Sequence, residues 1–284
     1  MNSGYIYALT AFGVWGIIPI YWALFKHIDP IEVLCHRVLW SFVFYTLIVS
    51  TKKLKNHTTV NQKLLLGFAG LLIGVNWGVY IWAVNNGHVA ESSLGYFINP
   101  LINFILGVLL FHEHLSQPKK IAIAFALAGV LYLTWVYQGL PWIALSLALT
   151  FGIYGAIKKR VQVPSILGMQ LETLILIPLT LGYLVHIGIQ NPQSYLERDL
   201  LTWLLLISCG VVTGLPLIWF SSAAKRIPIS TLGFFQYVAP TLQFLCAILY
   251  FKEDFSVEKA IGFSLVWLGL GIVISEAATL RKKY

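Results

Sequence analysis

Leu94-Gly95-Tyr96-Phe97-Ile98-Asn99-Pro100-Leu101-Ile102-Asn103-Phe104 opens an uncharged stretch that runs on to Phe111, and Leu232-Gly233-Phe234-Phe235-Gln236-Tyr237-Val238-Ala239-Pro240-Thr241 opens a second. With a shift of 140 positions Pro100 falls on Pro240, Phe104 on Phe244, Phe111 on Phe251 and Glu113 on Glu253. The same register puts Gly70 on Gly210, Gly74 on Gly214, Ser116 on Ser256, Lys119 on Lys259 and Gly129 on Gly269, while Leu94-Gly95 meets Leu232-Gly233 two residues out of step. An internal repeat of this length reads as a duplicated structural unit.

Each stretch is long enough to cross a bilayer, since about 20 apolar residues rising 1.5 Å apiece span about 30 Å of hydrocarbon. That ruler predicts spans near 4–25, 31–50, 64–84, 92–111 and 120–137, then 140–156, 164–186, 200–223, 230–251 and 258–278. The expected fold is therefore all-α, a polytopic membrane protein of ten transmembrane helices. Its two repeats are residues 1–137 (helices one to five) and 140–284 (helices six to ten). Five is odd, so the second repeat would enter the membrane upside down relative to the first. Asp29-Pro30, Gln138-Gly139-Leu140-Pro141 and Asn191-Pro192 mark turns between spans.

Composition agrees. The chain is 58% hydrophobic and 11% charged, against roughly 25% charged in soluble domains, so the bilayer must be its solvent. The net charge of +8 comes from clusters between spans, which excludes a nucleic-acid role and instead orients the chain: Lys52, Lys53, Lys55, Lys63, Lys119, Lys120, Lys158, Lys159, Arg160, Lys225, Arg226 and Arg281 to Lys283 share one side. That side is the cytoplasm, and both termini lie there. The first apolar stretch lacks a basic n-region and reads as a retained helix. Cys35, Cys209 and Cys246 fall within apolar stretches as packing residues.

Asn76-Trp77-Gly78-Val79-Tyr80-Ile81-Trp82, Gly87-His88, Glu91-Ser92-Ser93-Leu94-Gly95-Tyr96, His36-Arg37 with Trp40-Ser41, Glu172-Thr173 and the stretch from Leu232 to Thr241 together resemble the RarD proteins, an EamA-type branch of the drug/metabolite transporter superfamily. The resemblance implies two five-helix EamA repeats around a central cavity, and a role in moving small metabolites or drugs across the bacterial inner membrane. His112-Glu113-His114 departs from the Glu-Arg pair usual after the fourth helix.

Polar groups inside hydrocarbon face the bundle interior or a wet cavity. Asn76 and Tyr80 share one face of helix three, and Ser92, Tyr96, Asn99 and Asn103 form a stripe on helix four. Gln236, with Tyr237 beside it, and Gln243 flank Pro240 on helix nine. These are the expected substrate-binding walls, although hydrogen bonds between helices would serve some of them equally. Trp15, beside Gly16 and Pro19 near the middle of helix one, is a gate or stacking candidate or a packing residue. Gly67, Gly70 and Gly74 suit close helix packing. Arg37 and Glu172 are the buried charges. By helical rise Arg37 lies roughly 9 Å inside one face and Glu172 roughly 12 Å inside the other, so a direct ion pair would need tilt and extended side chains. Glu172 reads either as a proton-coupling or ammonium site or as a structural hydrogen bond; Arg37 cannot relay a proton and reads as a structural residue or a pairing partner.

Neither a phosphate-binding P-loop nor a metalloprotease helix is written in the chain, and Asp29, Asp199 and Asp254 all sit at membrane edges. The expectation is thus no enzyme, no catalytic residue, no metal and no cofactor. The expected partners are a small-molecule substrate and membrane lipids, with homodimerisation left open. An intramembrane lipid-modifying or lipid-handling protein and a passive small-solute channel are the alternatives.

Overall fold

A computed structural model describes residues 3–55, 57–85, 89–136, 142–193, 197–250, 252 and 257–282. Its helices are α1 (Ser3–Trp22, continued by a 3-10 turn at Ala23–Phe25), α2 (Pro30–Thr51), α3 (Val60–Asn85), α4 (Val89–Phe111), α5 (Gln117–Val136) and α6 (Trp142–Arg160). They continue with α7 (Ser165–Gln190), α8 (Leu200–Ala224), α9 (Ile229–Gln236), α10 (Val238–Leu249) and α11 (Val257–Lys282). The expected turn at Gln138 to Pro141, the boundary between the halves, and the repeat positions Phe251, Glu253 and Ser256 lie outside the described residues.

Ten spans result, because α9 and α10 share one. Among the described residues six elements are long and apolar enough to cross a membrane: Ser3–Phe25, Pro30–Thr51, Val60–Tyr80, Gln117–Val136, Ser165–Gln190 and Leu200–Ala224. Their outer faces are apolar, with Trp135 77% and Leu179 72% exposed. A surface of that kind belongs against lipid rather than water.

Local chemistry sets the helix starts. Asp29 Oδ1 accepts the N–H groups of Ile31 and Glu32 at 2.9 and 3.1 Å, and Pro30 occupies the first helical position of α2. Asp199 does the same for α8 through Thr202. The one element the hydropathy ruler read differently is the span 230–251, which breaks at Tyr237. Pro240 has no N–H for the Gln236 carbonyl four residues back, and the Tyr237 N–H turns to the Phe234 carbonyl at 3.2 Å instead.

Close backbone approach then assembles the bundle. A Cβ on Gly70 would stand 2.5 Å from the Glu172 carbonyl oxygen, and one on Gly210 would stand 2.4 Å from that of Trp40, so α3 lies on α7 as α8 lies on α2. Gly129 and Gly269 bring α5 and α11 together in the same way. Gly74 also abuts α7 through Leu176, whereas Gly67 has only an ordinary contact with Ile175. Across the halves α2 pairs with α7, α4 with α9 and α5 with α11, while α1 packs on α8 and α10, and α6 packs on α3 and α4. Cys35, Cys209 and Cys246 are free and buried.

Candidate functional site: a central cavity and a buried ion pair

Between these helices lies a cavity of about 340 Å³. Helix α1 contributes Phe12, Trp15, Pro19 and Trp22 to its wall, α2 Arg37, α3 Asn76, Trp77 and Tyr80, and α4 Tyr96 and Asn99. From the second half come Phe151 of α6, Thr213 and Leu217 of α8, Gln236 of α9, and Pro240 and Gln243 of α10. Lys26, which is exposed, also lines it, so the cavity reaches the end of the bundle where α1 hands over to α2.

Pro19 explains one wall. It cannot donate to the Trp15 carbonyl, and Gln243 Nε2 of α10 supplies the missing donor at 3.0 Å. Asn76 spends its amide on α6, donating to the Leu147 carbonyl at 2.9 Å and the Thr150 hydroxyl at 2.8 Å. Tyr80 and Tyr96 meet edge to face at 5.9 Å. Asn103 Nδ2 donates to Gln236 Oε1 at 2.9 Å. That leaves Gln236 Nε2 and Asn99 Oδ1, both at buried positions on the cavity wall, with no protein partner among the described residues.

The expected residues therefore divide. Trp15, Arg37, Asn76, Tyr80, Tyr96, Asn99, Gln236 and Gln243 come together around the cavity. Asn103 stands behind Gln236, and Tyr237 is buried away from the lining with its hydroxyl donating to the Phe97 carbonyl at 3.4 Å. The Ser92 side chain lies outside the described residues. Trp22, Trp77 and Thr213 were not singled out as site residues beforehand; Trp22 lies one turn beyond Ile18 on the Trp15 face of α1, a spacing that could have flagged it.

Arg37 is held by rings. Its guanidinium carbon is 4.5 Å from the Trp22 ring centroid and 4.6 Å from that of Trp77, and Nε donates to Thr213 Oγ1 at 3.3 Å. Glu172 is elsewhere, outside the lining, and its partner is Lys158: Nζ donates to Oε1 at 2.5 Å, and the Tyr154 hydroxyl donates to Oε2 at 3.2 Å. Lys158 and Glu172 are 1% and 2% exposed. The sequence reading counts Lys158 with the loop cations at the end of α6; the structure turns it inward on the face it shares with Tyr154, four residues earlier.

Between the cavity and that pair stands a plug of rings. Trp15 meets Phe12 at 5.4 Å and Phe151 at 5.9 Å edge to face, and Phe220 sits 5.8 Å from Trp15 and stacks on Tyr154 at 5.9 Å. Beyond it the basic end is tied by Glu113, which accepts from the Ile229 and Ser230 N–H groups at 2.7 and 3.0 Å and from the Ser230 hydroxyl at 2.7 Å, with Lys159 3.4 Å away. Burial alone would raise the Glu113 carboxyl, but these four partners outweigh it and hold it below its ordinary value of 4.5. At the opposite end Arg198 and Glu32 pair at 2.6 Å.

A ten-span helical bundle enclosing a largely apolar cavity with a few polar side chains is the form of a membrane carrier, and the EamA-like transporter family is matched over residues 2–135 and again over 139–275. The chain belongs to that family, as a multi-pass membrane transporter of the drug/metabolite superfamily. Within it the chain is similar to Protein RarD of Salmonella typhimurium, 41% identical over 289 residues that make up 99% of this chain and 98% of the relative. It is also 40% identical to the uncharacterized transporter YojE of Bacillus subtilis, covering 95% and 92%. To the chloramphenicol-sensitive protein RarD of Pseudomonas aeruginosa it is 30% identical, covering 99% and 97%. A solved crystal structure shares the fold with a TM-score of 0.74 at 18% identity, over 95% of this chain and 98% of that one.

Proposed function

We propose that this protein carries small organic solutes across the bacterial inner membrane by alternating access, with residues 1–137 and 140–284 as inverted halves that rock about the cavity. The observation that carries the reading is the cavity itself: it is lined from both halves, reaches one end of the bundle at Lys26, and is stopped short of the basic end by the Phe12, Trp15, Phe151, Phe220 and Tyr154 rings. With the basic end cytoplasmic, the state described is open to the outside. The ring plug and the Lys158–Glu172 pair are then the closed inner gate. A proton reaching Glu172 would undo that pair, which makes it the coupling candidate even though it does not touch the cavity.

The test is uptake into sealed proteoliposomes from a panel of metabolites and amphipathic drugs. At least one solute should show saturable flux, reduced about tenfold or more by Asn99→Leu or Gln236→Leu with insertion unchanged. Flux that stays linear with concentration for every permeant solute would make the protein a channel, and unchanged flux in both variants would remove these amides from the site.

A further inference from the structure

We propose that Arg37 is a fixed anion anchor and that the solute carried is an organic acid, a carboxylate or phosphate on a flat apolar body. The inference rests on the transport reading for its function, but the binding site itself is argued from geometry. A guanidinium has five N–H donors in one plane. In Arg37 the guanidinium carbon lies over the Trp22 and Trp77 rings at 4.5 and 4.6 Å, and the Nε–H goes to Thr213. The four N–H groups on the two terminal nitrogens meet no acceptor among the described residues, and the side chain lines the cavity. What is left over is the edge that takes a carboxylate or phosphate in two parallel hydrogen bonds.

No acidic side chain among the described residues pairs with Arg37. Among the described residues no Asp or Glu lines the cavity, and the nearby carboxylates are engaged: Glu32 with Arg198, Asp29 with the start of α2, Glu172 with Lys158. A cation kept inside hydrocarbon against rings, with no counter-ion among the described residues, is expensive to hold for packing alone, and a brace between α1, α3 and α8 would not need four donors that meet no acceptor there. Tyr80, Tyr96 and Phe151 line the same cavity and supply aromatic surface for a flat body, and Asn99 Oδ1 and Gln236 Nε2 offer one acceptor and one donor for further polar groups.

The test uses the full-length protein in nanodiscs and four probes of one shape: benzoate, phenyl phosphate, benzamide and benzylamine, followed by calorimetry and by thermal protection. At least one of the two acids should bind about tenfold or more tighter than benzamide, and benzylamine should not compete; whichever acid binds tighter names the headgroup. Equal binding of the acids and the amide to wild type overturns the anchor, and that comparison needs no variant. Arg37→Lys keeps the charge and loses the fork, so it should weaken the acids while leaving benzamide unchanged; Arg37→Gln should bring acids and amide level. A variant that melts with wild type and still prefers the acid also overturns it. Acids that bind through Arg37 without saturable flux would leave the anchor standing and sink the transport reading, whereas saturable flux of amines or neutral solutes with no acid binding would do the reverse.

Discussion

Lys158 Nζ donates to Glu172 Oε1 at 2.5 Å with almost no solvent on either residue. Desolvating two charges costs nearly as much as their attraction returns, so such a pair adds little when intact, but removing one partner leaves a buried charge alone. Lys158→Met or Glu172→Gln is therefore expected to lower stability by about 3–5 kcal/mol, while Lys158→Met with Glu172→Leu recovers most of the loss. Unfolding of the detergent-solubilised variants checks this, and equal losses in single and double variants would show that the pair is not what matters there. Tyr154, donating to the same carboxylate at 3.2 Å, ties the pair to the ring plug through its stack on Phe220. A change at Glu172 thus has a short packed route to the cavity floor.

At the scale of elements, the loop after α4 controls how α9 begins. His112 takes a left-handed φ of 51° and the Glu113 N–H returns to the Gly107 carbonyl at 3.0 Å, which ends α4 and aims the carboxylate at the N-terminus of α9. Pro228 offers no side chain to cap that terminus, so Glu113 does it from the other half of the chain. Its folded pKa is depressed, so the unfolded chain binds the proton more readily. The stabilisation is then complete above the ordinary value of 4.5 and is lost as pH falls through the lower folded value. Wild type should lose thermal stability below about pH 4.5, and Glu113→Gln should cost roughly 1–2 kcal/mol at neutral pH and show a flatter acid limb. A parallel acid limb in the variant would move the titration to another carboxylate.

For the whole molecule, the inverted arrangement makes a prediction about sides. Lys55 follows α2 and Gln193 follows α7, so in the proposed topology equivalent loops of the two halves face opposite compartments. Both positions are exposed, and the three native cysteines are buried, so Lys55→Cys and Gln193→Cys should be labelled by a membrane-impermeant maleimide against a low background. Position 193 should react in intact cells and position 55 only after the inner face is opened. Labelling of both from one side would sink the inversion and the rocking mechanism with it.

The sequence by itself determined that this chain lives in a membrane, that it crosses ten times, and that Asn76, Tyr80, Tyr96, Asn99, Gln236 and Gln243 turn inward. Those readings depend on local quantities: the length of an uncharged run against the thickness of hydrocarbon, and the 3.6-residue period that puts positions three or four apart on one face. Pro19 was legible as a weak point in its helix, whereas the span holding Pro240 read as unbroken and its break at Tyr237 came only with the structure. Only the tertiary structure decided that Gln243 repairs the carbonyl Pro19 frees, that Asn76 leans on α6, that Arg37 lies against two indoles, and that Glu172 is answered by Lys158 and not by Arg37. Each of these depends on the rotation and depth at which two helices meet, and a residue's helical phase says which way it points but not which neighbour stands there. Lys158 shows the limit most clearly, because a lysine at the end of a span reads as a loop cation until the helix that brings its carboxylate is packed against it.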